Sequence, residues 1–234
     1  MRKILESLDL PEPGSNRGYN PVDVIEGFMV SVVLGARRLA HSSFLRADEV
    51  IREIFGWKRK MSSASTLSRF FQKFDIDLND QVFPELQKQW FEQISVTRHT
   101  IDVDSTVIQR YGVQEGAEVG FNPQRRGGRS HHPLMAFSEE ASMVVNAWQR
   151  DGNTSDKSDA CHFLEETMDI LGRSGVGLVR MDAGFYSRHI MSFLEGDGEG
   201  TEPVDYIVRA HMTKRVYNGI AEVTSYYSSN TVSK

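Results

Sequence analysis

The chain has 234 residues, 39% of them hydrophobic and 25% charged, and a net charge of −5. That is the composition of a soluble globular protein of one large or two small domains with a sizeable core. The acidic balance excludes overall charge as an argument for nucleic-acid binding, so such a role must rest on local basic patches. A single cysteine, Cys161, excludes an intrachain disulfide and fits a reducing cytoplasm. The most apolar run, Phe28 to Leu34, is too short to span a bilayer and ends in Gly35-Ala36-Arg37-Arg38. The N-terminal MRKILESLDLPEPG has no long apolar stretch, so no signal peptide is expected and no membrane partner.

Residues 1–20 hold Pro11, Pro13, Gly14 and Gly18 and read as a loose arm. Asn20 then suits a helix cap and Pro21 a first helical position, and Val22, Ile25, Phe28, Met29, Val32, Val33 and Ala36 recur at helical spacing. Further helices are expected from Ala47 to Phe55, after Ser62-Ser63-Ala64-Ser65, and from Asn79 to Ile94. From Arg98 the pattern changes: His99 to Ile108 is rich in β-branched residues and alternates in character, as a strand does. Gly112 to Ser130 reads as a polar loop. His132 to Ser138 and Met143 to Arg150 are two more strands, followed by a helix from Ser158 to Leu171 and a strand from Val176 to Met181. A helix from Tyr186 to Leu194 and a strand from Pro203 to Ala210 complete the order. The expectation is an α/β protein: a helical region over residues 1–95, a mixed sheet over 96–216, and an irregular tail over 217–234.

Two acidic positions carry the chemistry. Asp102 and Asp104 sit two apart in the first strand and project to one face. Charges on an otherwise apolar strand are costly unless that face meets water, a cation or a metal. Asp182 follows the strand VGLVRM, and strand ends are where ligands bind in α/β sheets. Carboxylates on neighbouring strands suit Mg²⁺ or Mn²⁺, which prefer oxygen ligands. A solvated face or an arginine partner is the alternative reading of such a D-x-D.

Several stretches together resemble transposases of the insertion sequence 1380 family, in the DDE group with an RNase H-like core. IDVDST (101–106) looks like the first catalytic strand, and GFNPQRRGGRSHHPLMAF (120–137) is similar to the basic loop leading into the second strand. RDGNTSD (150–156) resembles the turn after the third strand, and VRMDAGFY (179–186) the second catalytic segment. GARRL and SASTLSRFF lie in a region that resembles the family's N-terminal part. The resemblance covers about residues 19–215. It implies DNA cleavage and strand transfer at terminal inverted repeats with Mg²⁺ or Mn²⁺, Asp104 and Asp182 being metal-binding and catalytic, with Asp102 the rival to Asp104. The third acid of such enzymes is a glutamate within a Tyr-Arg-Glu-Lys signature, which is not found. Glu222, the only acidic residue after Asp205, lacks the Tyr and Arg at the family's spacing. The resemblance therefore implies a C-terminally truncated, incomplete RNase H-like domain with little activity of its own. The alternative is a non-catalytic DNA-binding remnant that occupies the repeats or associates with full-length transposase or with itself.

Arg125, Arg126 and Arg129 lie between glycines, where guanidinium groups and close backbone approach favour phosphate contact; an ordinary solvated loop is the other reading. Lys58, Arg59 and Lys60, with Arg37-Arg38, form a second basic region that could belong to a helix-turn-helix-like unit or be helix-end charge. His131-His132 lack the companions of a zinc site and read as structural or DNA-contacting. Cys161, Trp90 and Trp148 read as packing residues, and His189 as a surface residue.

Overall fold

The computed structural model describes residues 1–196 and 202–230, with side chains to residue 224. The chain divides into two compact units, Met1–Gln93 and Ile94–Lys234.

The first unit is helical: α1 (Arg2–Ser7), α2 (Pro21–Val33), α3 (Ser42–Leu45), α4 (Glu49–Ile54), α5 (Ala64–Phe71) and α6 (Ile76–Phe91). The Asn20 side chain accepts the Val22 N–H, and Asp48, Ser63 and Asp75 cap α4, α5 and α6 in the same way. Two apolar clusters hold the unit. Leu5, Leu10, Val22 and Val82 form one; Val24, Leu67 and Phe70 form the other, and Phe74 packs against both.

Residues 1–20 are therefore not a loose arm. Leu5 is fully buried, a contribution of about 1.5–3 kcal/mol for such a side chain. Arg2 reaches Asp23 at 2.8 Å and Glu26 at 2.6 Å. The buried Glu26 carboxylate also accepts the Trp57 indole N–H at 3.0 Å. The proline and glycine content made this segment look open, but the i, i+1 apolar pair Ile4-Leu5 anchors it. The candidate pairing of α4 with α5 as a helix-turn-helix is not formed either. Residues 55–63 separate α4 from α5, too long for the tight turn of that motif, which takes about 3–4 residues.

The second unit is built on a five-stranded mixed sheet. Its strands are β1 (His99–Ser105), β5 (Leu134–Ser138), β6 (Met143–Trp148), β7 (Val176–Met181) and β8 (Tyr206–Val208), in the order β6-β5-β1-β7-β8. β1, β5 and β6 form an antiparallel meander; β7 runs parallel to β1 and β8 parallel to β7. This is the mixed sheet of the RNase H-like type, preceded by helices. Helices α7 (Ala160–Leu171) and α8 (Arg188–Glu195) supply Phe163, Leu164, Met168, Ile190 and Leu194 to a core with Ile101, Val103, Leu134, Val145 and Val179. Trp148 packs edge-on to Phe163 at 5.3 Å while its indole N–H reaches Glu166 at 2.8 Å. It is a packing residue with a satisfied polar tip.

The polar stretch from Gly112 to Ser130 is not all loop: it holds β3 (Glu118–Val119) and most of β4 (Arg129–His131), which form with β2 (Ile108–Gln109), just before it, a second, antiparallel sheet in the order β2-β4-β3. Strands of two and three residues carry too little hydrophobic alternation to be read from sequence. The tail is not irregular: α9 spans Lys214–Asn230. Residues 231–234 lie outside the described residues. Val216, Tyr217, Ile220 and Val223 recur at helical spacing along α9, and Tyr217, Ile220 and Val223 are exposed. No described helix is long and apolar enough to cross a membrane.

Candidate metal centre and basic loop

Strand β1 buries His99, Ile101 and Val103 and turns Thr100, Asp102 and Asp104 to the other face. In the parallel ladder with β7, Asp102 is level with Arg180 and Val103 with Met181. The next step brings Asp104 and Asp182 to the C-terminal ends of neighbouring parallel strands. Side chains alternate in step along both strands, so the face on which Asp102 meets Arg180 is also the face of Asp104 and Asp182.

Asp102 and Asp104 thus share a face, as their spacing requires, but have different partners. Arg180 donates from Nε and Nη2 to both oxygens of Asp102, each at 2.6 Å, and Nη2 lies 2.8 Å from Glu139. The fork geometry pushes the Arg180 guanidinium above its ordinary range, with Asp102 the main cause. Asp102, the rival first ligand, is thereby an arginine partner, the alternative that a D-x-D pattern leaves open.

Among the described residues, no cation pairs with Asp104 in this way. Its Oδ1 accepts the Ser105 N–H at 2.8 Å. Partial burial of the carboxyl raises its pKa above the ordinary value of 3.8; the Ser105 hydrogen bond opposes this, and the negative charges of Asp182 and Asp156 add to it. Asp182 caps the turn Ala183–Phe185, accepting the Gly184 N–H at 2.8 Å. These oxygen donors, crowded with like charge and lacking a cation, have the chemistry that suits a hard divalent ion. Among the described residues, no group of three or more His, Cys, Asp or Glu side chains has the arrangement to hold a metal ion.

The residue the sequence reading did not single out is Asp156, in the segment after β6. It accepts the Ser105 hydroxyl at 2.5 Å through Oδ1. A Cβ on Gly184 would lie 2.5 Å from Asp156 Oδ2 and 2.9 Å from Asp182 Oδ1. Both carboxylates therefore border the space above the Gly184 backbone, and a larger side chain there would displace them. The segment is held by Arg150, which is buried and donates to the carbonyls of His132, Ser155 and Ser158, each at 3.1 Å. Aspartate in RDGNTSD was visible in the sequence, but nothing local marks it as a neighbour of residues 51 positions earlier.

The basic loop is shaped by Asn122. Its Oδ1 accepts the N–H groups of Gln124 and Arg125 at 3.0 Å, and its Nδ2 donates to Gln109 at 2.6 Å. Gly127 takes the left-handed conformation, φ 71°. Arg125 and Arg126 are exposed. Arg129 is exposed but donates to the Ala117 carbonyl at 2.8 Å. His131 bridges Arg110 and the Glu115 carbonyl at 2.8 Å each, and so serves the second sheet. In the first unit Lys58 is exposed; Arg59 donates to the Arg17 carbonyl at 2.7 Å, and Lys60 lies 3.6 Å from Glu49. His189 is exposed.

Comparison with known proteins gives a family match. The matching family is described as Transposase DDE domain group 1, and the match spans residues 1–234. No curated protein matches the chain. Among solved structures, the chain is similar to a piggyBac transposase synaptic complex with hairpin DNA, at 11% identity and a TM-score of 0.46, covering 91% of this chain and 47% of that one. A Drosophila P element transposase strand transfer complex gives 13% identity, a TM-score of 0.38 and coverage of 88% and 43%. A Mos1 transposase paired-end complex gives 13%, 0.32, and 89% and 65%. The chain spans less than two thirds of each of these proteins.

Proposed function

This chain belongs to the transposase DDE domain group 1 family, and on that premise we propose that Asp104 and Asp182 form a divalent-metal site for cutting and joining DNA at terminal inverted repeats. The observation that carries this reading is the placement of the two carboxylates on one face at the C-terminal ends of neighbouring parallel strands. The motifs over residues 101–106, 120–137 and 179–186 narrow the reading to the insertion sequence 1380 family.

Asp104 and Asp182 would hold Mg²⁺ or Mn²⁺, which polarises a phosphate oxygen and activates an attacking hydroxyl. The residues of the chain orient that chemistry. Gly184 N–H and Ser105 N–H each fix one carboxylate oxygen. Arg180 neutralises Asp102, so that a further negative charge does not crowd the incoming phosphate. Arg125 and Arg126, exposed on a loop whose turn is set by Asn122, are the phosphate contacts; Lys58 is the least engaged cation of the 58–60 group. A cytoplasmic protein on chromosomal DNA, acting as a homodimer or alongside full-length enzyme, fits this reading.

Two carboxylates fix a pair of ions poorly, so the chain alone is a weak nuclease. A second reading is occupation of terminal repeats without cutting. Incubation with Mn²⁺ and terminal-repeat DNA tests both. Slow, metal-dependent nicking abolished by Asp104→Asn supports the weak enzyme, and footprinting without nicking supports the binder. Efficient strand transfer would overturn the two-carboxylate account.

A further inference from the structure

We propose that Asp156 is a positioning residue for the Asp104–Asp182 pair, fixing the Asp104 carboxylate through Ser105 and bordering Asp182 across Gly184; this rests on the metal reading above. Three observations converge on it. The Ser105 hydroxyl donates to Asp156 Oδ1 at 2.5 Å, and the same residue's N–H donates to Asp104 Oδ1 at 2.8 Å. Ser105 therefore links the two aspartates, and its torsions cannot change without disturbing one bond or the other. Asp156 Oδ2 and Asp182 Oδ1 both border the space above Gly184, whose N–H holds Asp182. The segment bearing Asp156 is itself anchored, because the buried Arg150 takes the carbonyls of Ser155 and Ser158 on either side of it.

The sequence logic follows from the topology. β1 ends at Ser105 and β7 at Met181, and strand ends are free to splay. Asp156 enters from the loop between β6 and α7 and ties the first end while closing over the turn that follows the second. An outer hydrogen bond of this kind fixes a ligand's orientation before the metal arrives, and loss of one typically costs about 10–100-fold in affinity. The hydrogen bond carries the effect, not the charge alone, because the Ser105 hydroxyl needs an acceptor that asparagine also offers.

The test is a Mn²⁺ titration of the full chain without DNA, followed by calorimetry, with circular dichroism to confirm folding. Asp156→Ala is expected to weaken Mn²⁺ binding about tenfold or more. Asp156→Asn is expected to restore most of the affinity, since its Oδ1 can accept from Ser105. Ser105→Ala, a milder change, is expected to weaken binding alone and to add nothing to Asp156→Ala, as partners in one interaction do. Wild-type affinity in both Asp156→Ala and Ser105→Ala overturns the proposal while leaving the metal site standing. Asp156→Asn as weak as Asp156→Ala also overturns it, since charge would then be the operative property. No Mn²⁺ binding by the wild-type chain overturns the metal reading and this proposal together.

Discussion

Arg180 grips both oxygens of Asp102 at 2.6 Å, and two residues further along the same strand face no cation among the described residues pairs with Asp104. One strand thus carries a neutralised aspartate and an unneutralised one. The two are expected to answer substitution in opposite ways. Asp102→Asn weakens the arginine fork and lowers the melting temperature slightly, with Mn²⁺ binding kept. Asp104→Asn removes a negative charge facing Asp182 and Asp156, raising the melting temperature while Mn²⁺ binding is lost. Thermal melts with and without Mn²⁺ read both effects.

The same crowding sets a pH dependence. The folded-state pKa of Asp104 is raised, chiefly by burial. A carboxyl raised on folding stabilises the fold fully below its unfolded value and loses that contribution as pH rises through the folded value. The melting-temperature advantage of Asp104→Asn over wild type is therefore greatest at neutral pH and closes as pH falls towards the ordinary 3.8. Mn²⁺ affinity moves the other way, falling as pH drops through the raised value, because a proton then competes for the ligand oxygen.

Glu26 is the buried charge of the helical unit, reached by Arg2 and by the Trp57 indole. Glu26→Ala leaves the indole N–H without its acceptor and strands Arg2 from one of its partners. A loss of about 1–3 kcal/mol is expected for such an unsatisfied buried donor, with the half-exposed Arg2 adding little. Urea denaturation followed by tryptophan fluorescence measures it.

Arg125 and Arg126 are assigned to DNA phosphates, whereas Arg129 also holds the Ala117 carbonyl. Replacing Arg125 and Arg126 by Gln should reduce the slope of log affinity against log salt by about two, near 0.9 per phosphate contact. Arg129→Gln is expected to cost stability as well. Binding measured over a range of KCl concentrations separates the two effects.

The sequence was most legible where the physics is local. The cap at Asn20, the alternation of β1 and the order of the large strands follow from neighbours in the chain. Hidden features depend on distant partners. Arg180 chooses Asp102 rather than Asp104 through the parallel register, which no pattern within β1 encodes. Asp156 joins the site across 51 residues. The short strands β2, β3 and β4 are fixed by Asn122, Arg110 and His131 rather than by apolar periodicity. α1 is held by an ion pair with α2 that prolines and glycines nearby disguised.

The central claim, that Asp104 and Asp182 hold one divalent ion, is tested most directly by replacing that ion with Fe²⁺ and letting ascorbate and peroxide cut the polypeptide where it sits. The account predicts backbone cleavage near residues 104–105, 156 and 182–184, suppressed by excess Mg²⁺ and absent in Asp104→Asn and Asp182→Asn. Cleavage elsewhere, or an unchanged pattern in both variants, would contradict it.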